Sequence, residues 1–445
     1  MMRRIQNQLI ETTMFLLLVI VIFPFTLHAQ MTARGLGMGG AYTAVARGVH
    51  AADYNPANLG LPDNVKFSMT IISAEAGIWN NAFNKEMYDK YLVEGADPET
   101  NQIYWDENDV ENILDAIPND GLNMFTNTSV KGFSFSAGRF AFSIRGTGNS
   151  FLSLDKTAFE IPLAGTKIGK TYSFNNTDGK GIGVGLVSFS WGQPMKVSFA
   201  DHFAFGSTIH LIYGGGYAQT DYANFTIDNM VYGVNLNGDY KATYALGNLG
   251  WGLDVGAAAQ MGKKWTLGAS LSQLLGSIPW SKDMKVVEGF IKGDSINVEN
   301  ELDEEEDFDD DERDIAAFST KLPVVLRVGC SYKEGDVLLA ADYYQSFKES
   351  AWANTTPRIS IGTEWQKVRW LPLRMGVILG GRMGFGTSFG LGLRLGSFVV
   401  DLGVMNQGFI SPNNSKGMIL AIGMGIDMQR KSNGSTKVSD FIHSP

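Results

Sequence analysis

The chain has 445 residues, of which 44% are hydrophobic and 11% aromatic, with 52 glycines and one cysteine, Cys330. Its formal charge is −10, and the eleven carboxylates between Glu301 and Asp314, set against Arg313, account for all of it. The remainder is neutral and offers no basic cluster for nucleic acid, a single cysteine excludes an internal disulfide, and no apolar run after Ala29 reaches the roughly 20 residues of a spanning helix.

In chain order, Arg3 and Arg4 precede an apolar run from Met14 to Phe25 that Pro24 breaks, and Leu27-His28-Ala29 ends in a small residue. This is the pattern of an export signal (residues 1–29) cleaved after Ala29. Next comes a glycine- and alanine-rich stretch, Ala33-Arg34-Gly35-Leu36-Gly37-Met38-Gly39-Gly40-Ala41, followed by Asp53-Tyr54-Asn55-Pro56-Ala57. Gly35, Gly37 and Gly40 match the spacing of a dinucleotide fingerprint, but that motif needs a strand before it and a helix after it. An export signal stands there instead. The glycines therefore serve tight turns and close packing, and Ala41 to Val49 is expected to form one short helix ended by Asn55-Pro56. Residues 30–64 lack strand alternation and are expected to form an internal plug.

From Val65 to Met428 the chain alternates apolar and small or polar residues in segments of about ten, the signature of tilted transmembrane strands. Met418, Leu420, Ile422, Met424, Ile426 and Met428 share one face, and Ile419, Ala421, Gly423, Gly425 and Asp427 the other. A soluble sandwich would carry more Lys and Glu on its outer face. The expected fold is an all-β, transmembrane antiparallel barrel of 14 to 16 strands with an N-terminal hatch. The even count leaves both termini on the periplasmic side.

Tight turns are expected at Ala137-Gly138-Arg139, Asn237-Gly238-Asp239, Gly262-Lys263, Lys333-Glu334-Gly335-Asp336 and Leu395-Gly396-Ser397. Long outer links are expected at 78–128, 147–180, 275–322, 346–357 and 407–416, and a polar periplasmic tail at 429–445. The acidic run Glu301 to Asp314 then falls in an outer loop. It reads either as a solvated charge block or as a site for divalent cations at a lipopolysaccharide-rich surface.

Trp191, Trp251, Trp265, Trp280, Trp352, Trp365 and Trp370, with Tyr332, Tyr343 and Tyr344, are expected in interfacial girdles. On the opposite parity lie Asp254, Arg327, Asp342, Arg358, Glu364, Arg374, Arg394, Asp401 and Asp427. These charges either form a lumenal ladder of salt bridges or lend one or two arginines, among Arg327, Arg358, Arg374 and Arg394, to the carboxylate of an amphipathic ligand. His50, His202 and His210 have no nucleophile or metal motif around them, so no enzyme, cofactor or metal site is expected.

The run from Arg34 to Ala41 followed by Asp53 to Ala57 resembles the N-terminal segment of FadL-type outer-membrane transporters for fatty acids and other hydrophobic compounds. It is also similar to PorV-type proteins, where Leu326-Arg327-Val328-Gly329, Arg374-Met375-Gly376 and Gly390-Leu391-Gly392-Leu393-Arg394 have counterparts. The resemblance implies a bacterial outer-membrane barrel of fourteen strands with a hatch inside it, formed by Gly35, Gly37, Gly39, Gly40 and the Asn55-Pro56-Ala57 turn. In the transporter branch cargo enters from outside, the hatch shifts, and cargo leaves through a gap in the wall. PorV-type relatives instead serve protein secretion or surface attachment, with a protein partner. Membrane lipids and lipopolysaccharide are the expected surroundings in both, and the acidic loop and the polar tail depart from the transporter pattern.

Overall fold

The computed structural model describes residues 31–93, 105–296, 308–351, 353–409 and 411–428. The expected export signal with its cleavage point, residues 301–307 of the acidic run, Trp352 and the 429–445 tail lie outside the described residues.

The alternating segments become β1 (Phe67–Asn80), β2 (Leu122–Lys131, continued by Ser134–Ala137), β3 (Phe140–Leu154) and β4 (Asp178–Met195). Longer strands follow: β5 (His202–Met230), β6 (Gly233–Gly247, continued by Leu249–Met261), β7 (Trp265–Ile296) and β8 (Phe308–Asp314, Phe318–Lys321 and Val325–Glu334). The last six are β9 (Val337–Ser346), β10 (Arg358–Trp365), β11 (Leu373–Gly380), β12 (Gly384–Leu395), β13 (Phe398–Gln407) and β14 (Gly417–Met428).

Each strand pairs antiparallel with the next, and β1 closes on β14 from Phe67 opposite Met428 to Trp79 opposite Gly417. Closure satisfies every edge, which a sheet in lipid requires. The pleat then decides the faces: Met418, Leu420 and Ile422 on β14 point outward and are exposed, while Ile419 and Ala421 between them are buried. Outward Leu339, Ile359, Ile361, Met375, Leu379, Leu391 and Leu402 repeat this on the neighbouring strands. The outer surface is an apolar band and the molecule is a transmembrane β-barrel of fourteen strands. Among the described residues no helix is long and apolar enough to cross a membrane.

Two expected connections are corrected. Of residues 275–322, the described ones (275–296 and 308–322) are not a loose loop: β7 runs for 32 residues and its outer half pairs with β6 on one side and with the outer segments of β8 on the other. Asn237-Gly238-Asp239 is no turn either, because it lies inside β6, paired with Asn224, Phe225 and Thr226 on β5. The turn falls at 231–232, where Met230 pairs with Gly233. About ten residues span the bilayer, so the outer halves of β5 to β8 stand beyond it as a projecting sheet.

The chain before β1 folds inside the barrel. Helix α1 (Ala33–Gly37) is capped by the Thr32 side chain, which accepts from the Gly35 N–H, and α2 (Ala51–Tyr54) leads into a 3-10 turn over Pro56–Gly60. No α-helix forms over Ala41 to Val49, and the stretch ends in a single 3-10 turn at Gly48–His50. Gly39 and Gly40 take φ of 66° and 82°, which turns the chain, and the Tyr42 and Thr43 N–H groups are drawn to Asp342 on the wall. Leu36, Met38, Tyr42, Tyr54 and Leu59 are fully buried.

The girdle is also corrected in part. Trp191, Trp251, Trp265, Trp365 and Trp370 are exposed on the outside, but Trp280 and Tyr344 are buried in the lumen. Both sit on the inward parity of their strands, and the pleat overrides any preference of the aromatic ring.

Candidate functional site: a plugged lumen

The small residues on the inward faces of the wall have a structural cause: they leave room for the plug. A Cβ built on Gly37 would lie 2.7 Å from the Gly390 Cα, and one on Gly192 would lie 2.5 Å from the Gly60 N. Gly362 and Gly376 meet the backbone of Met38 and Gly39 in the same way, and Gly206 meets Pro56 and Ala57. Backbone rests on backbone around the ring, a distance only glycine allows. The sequence-predicted hatch residues Gly37, Gly39, Asn55, Pro56 and Ala57 all touch the wall, Gly40 lies between Met31 and Ser360 of β10, and Gly35 packs on Tyr54 within the plug.

Polar anchors fix the plug to the wall. The Arg34 guanidinium donates to both Glu364 oxygens at 2.8 and 2.6 Å, and Glu364 also receives Arg374 at 2.5 Å. Arg374 continues to Asp401 at 2.7 Å, and Arg394 reaches the same carboxylate at 3.0 Å. Glu364 and Arg374 are fully buried, so each charge needs the others. On the far side Asp53 of the plug takes Lys131 at 2.7 Å and also Arg145. Asp342 accepts the Tyr42 and Thr43 N–H groups at 2.9 and 2.8 Å.

The Asn-Pro-Ala turn has its own clasp. Asn55 Nδ2 donates to the Ala257 carbonyl on β6 at 2.9 Å while its Oδ1 accepts from the Ala57 N–H at 3.1 Å. Asn58 and Asn64 act alike: Asn58 Nδ2 holds the Thr43 and Ala46 carbonyls, and Asn64 Nδ2 holds the Gly138 carbonyl in the β2–β3 turn at 2.7 Å.

The four candidate arginines therefore divide. Arg374 and Arg394 are committed to Glu364 and Asp401, the salt-bridge ladder rather than a ligand site. Arg327 lies over the rings of Tyr54 and Tyr344 at 5.5 and 5.0 Å, and so packs on the plug. Arg358 stacks on Tyr344 at 4.4 Å and lines a cavity of about 110 Å³ on the outer side of the plug. Its Nε is buried without a hydrogen-bond partner. Met31, Glu75, Trp79, Asn127, Met383 and Ile419 also line this cavity.

The rest of the outer lumen is filled from β4 to β8 by an apolar cluster of Ile182, Val184, Ile212, Ile278, Trp280 and Leu322. Sequence reading missed Glu75, although it has the inward parity of β1. Its carboxylate accepts from Asn127 Nδ2 at 2.8 Å and from the Met31 N–H at 3.2 Å.

His210 bridges Ser188 at 2.7 Å and Asp254 at 3.0 Å across β4, β5 and β6. Asp254 takes Nε2 and Ser188 takes Nδ1, the reverse of a serine-hydrolase relay, and Ser190 with Thr208 at 2.8 Å extends the row. It is a cross-strand hydrogen-bond ladder. Among the described residues no group of three His, Cys, Asp or Glu is arranged for a metal ion, which covers the side chains of residues 311–314 of the acidic run but not those of 301–310.

Closed pairing, an apolar outer band and a lumen occluded by the chain's own first segment define a plugged transmembrane β-barrel. The chain belongs to DUF5723, a family of unknown function whose model matches residues 56–404. No curated protein matches it. Its structural neighbours include the Ralstonia pickettii toluene transporter TbuX, at 14% identity over 90% of this chain and 98% of that one, TM-score 0.47. A Pseudomonas aeruginosa FadL homologue is similar at 12% identity over 91% and 100%, TM-score 0.48. The P. putida toluene transporter TodX is similar at 11% identity over 90% and 99%, TM-score 0.47.

Proposed function

We propose that this protein is an outer-membrane channel for small hydrophobic or amphipathic molecules, long-chain fatty acids among them, and that the plug of residues 31–64 gates it. The observation that carries this reading is the lining of the lumen outside the plug. Ile182, Val184, Ile212, Ile278, Trp280 and Leu322 face inward there, with Ile378, Met383, Met405 and Ile419 around the Arg358 cavity. A channel for polar solutes keeps a polar interior, and an apolar one desolvates apolar cargo at roughly 25 cal/mol per Å². Within a lining that also carries Glu75, Asn127, Asn149, Asn354 and Arg382, Arg358 is the cation left without a carboxylate partner among the described residues and so the one to receive an amphipathic carboxylate.

Deleting Ala33 to Leu59 tests the gate: permeability to apolar probes rises while the folded barrel persists. Unchanged uptake of every apolar probe tried would refute the reading. The projecting sheet of β5 to β8 supports a second reading, a PorV-like barrel that docks a secreted or surface protein. Cross-linking from exposed Tyr232 at its tip separates the two, since a stoichiometric protein partner favours docking.

A further inference from the structure

The described residues of the link between β9 and β10, 347–351 and 353–357, do not stand away from the barrel. Ala351 packs against the lumenal cluster around Trp280 and Leu322, Ala353 is 4% exposed, and Ala353 and Asn354 form part of the cavity wall beside Arg358. The link therefore lies across the mouth, over both apolar regions of the outer lumen.

One side chain fastens it. Arg382, in the hairpin between β11 and β12, donates through Nη1 to the Ala351 carbonyl at 2.8 Å. Its Nη2 reaches Glu349 Oε1 at 2.7 Å, the Ala353 carbonyl at 3.2 Å and the Ser350 carbonyl. The face of the same guanidinium lies over Phe125 on β2 and Phe151 on β3, with centroids at 5.0 and 5.8 Å. Four strands, β12, β13, β14 and β1, separate that hairpin from β2 around the ring, so Arg382 ties the link to opposite sides of the mouth. A planar cation with five donors suits this task, because its edge bonds carbonyls while its face stacks on rings. The two ends of the link are held by backbone, with the Phe347 N–H donating to the Val324 carbonyl at 3.0 Å and the Pro357 carbonyl accepting from the Gly381 N–H at 2.9 Å. Between them the remaining bonds are local: Ser350 N–H to the Ala353 carbonyl at 2.8 Å, Thr355 N–H to Glu349 at 3.1 Å, and Gln345 at the end of β9 to the Thr355 carbonyl at 2.7 Å.

We infer that the β9–β10 link is an external lid over the Arg358 cavity and that Arg382 is its latch, so that cargo enters from outside only when Arg382 lets go. The lid is a feature of the mouth, and its use in cargo entry rests on the channel reading above.

The test places a thiol under the lid, Ala353→Cys in a Cys330→Ser background, and measures its labelling by a membrane-impermeant maleimide in the folded barrel. With Arg382 present labelling is slow. Arg382→Ala speeds it on the order of tenfold or more, since several charge-assisted hydrogen bonds are lost together. Arg382→Lys, which keeps the charge opposite Glu349 but not the fork, falls between.

Equal rates for Arg382 and Arg382→Ala, with the barrel still resistant to unfolding in detergent, overturn the proposal. Should Arg382→Ala fail to fold, Arg382→Lys decides alone, and an unchanged rate for it overturns the latch. Uptake of a neutral aromatic hydrocarbon, read in the same variants, keeps the two claims apart. Faster labelling with unchanged uptake leaves the lid standing and counts against the channel.

Discussion

A methyl group at Gly390 tests whether the inward glycines of the wall exist to seat the plug. A Cβ there would lie 2.8 Å from the Gly37 Cα and 3.2 Å from the Arg374 Cβ, whereas carbon atoms rest about 3.5–4.0 Å apart. The plug must therefore withdraw by roughly 0.7–1.2 Å at that point, and the nearest obstacle is backbone, which cannot swing aside. Overpacking of this kind costs about 1–3 kcal/mol. Gly390 has no positive φ, so alanine adds no backbone strain, and its gain from restricting the unfolded chain does not enter while the wall stays folded. The roughly 1–3 kcal/mol then falls on the seated plug, which at about 1.4 kcal/mol per tenfold makes plug opening about 5- to 150-fold more frequent. Hydrogen exchange of the amides from Thr32 to Leu59 reads this directly, with the wall strands of the same molecule as reference. Gly185→Ala is the control, because a Cβ there meets nothing within 4 Å. Plug exchange in Gly390→Ala equal to that in Gly185→Ala would sink the reasoning.

Glu364→Gln leaves the half-buried guanidinium of Arg34 and the fully buried one of Arg374 without their shared carboxylate, a loss of about 3–5 kcal/mol. It should release the plug far more than Gly390→Ala does in the same exchange experiment. Asn55→Ala leaves the Ala257 carbonyl and the Ala57 N–H without their partner, costing about 1–3 kcal/mol, again confined to plug amides. Arg358→Ala is expected to weaken binding of a carboxylate-bearing apolar probe by roughly 10- to 100-fold, the worth of one charged hydrogen bond, and to leave a neutral hydrocarbon unaffected. Quenching of the cavity's Trp79 provides the titration, and equal losses for both probes would assign Arg358 to wall structure alone. Burial pushes the Asp63 carboxyl up, but the Arg47 guanidinium at 2.9 Å outweighs it and holds the carboxyl below its ordinary value. A depressed carboxylate stabilises above its unfolded pKa, so this clasp is present at neutral pH and is lost below about pH 4. Exchange around Arg47 should rise there in the native chain and not in Asp63→Asn.

The strands that face lipid were legible because lipid imposes contrast. On β11, β12 and β14 large apolar residues alternate with glycine, alanine and polar side chains, and the pleat converts that into two faces. Beyond the bilayer the contrast disappears. Glu288, Lys241 and Arg313 sit on the projecting sheet in water and form pairs across strands, so its outer halves read as loop and Asn237-Gly238 as a turn. Trp280 and Tyr344 illustrate the opposite lapse: their parity placed them inward, and only their residue type suggested a girdle. What no single-sequence pattern holds is pairing over distance. Arg34 and Glu364 are 330 residues apart, and the link between β9 and β10 meets Arg382 about 30 residues on.

Under the proposed channel reading, the cavity also bears on how the barrel would open. Its 110 Å³ holds on the order of ten waters, well below the roughly 300–1,000 Å³ of a site for a drug-sized ligand. Expansion through the wall would break ladders that are hydrogen-bonded on both sides of each strand. The lining that is not wall strand consists of Met31 from the plug, Ala353 and Asn354 from the lid, and Gly381, Arg382 and Met383 from the latch hairpin. Those segments would yield first, because none of them is held by a continuous ladder. A cargo molecule that displaces the lid thus presses next on Met31, whose N–H is bonded to Glu75 two residues before α1 begins. In the proposed channel, lid and plug would act as barriers in series on either side of this cavity, with Arg358 the residue through which a carboxylate would act on both.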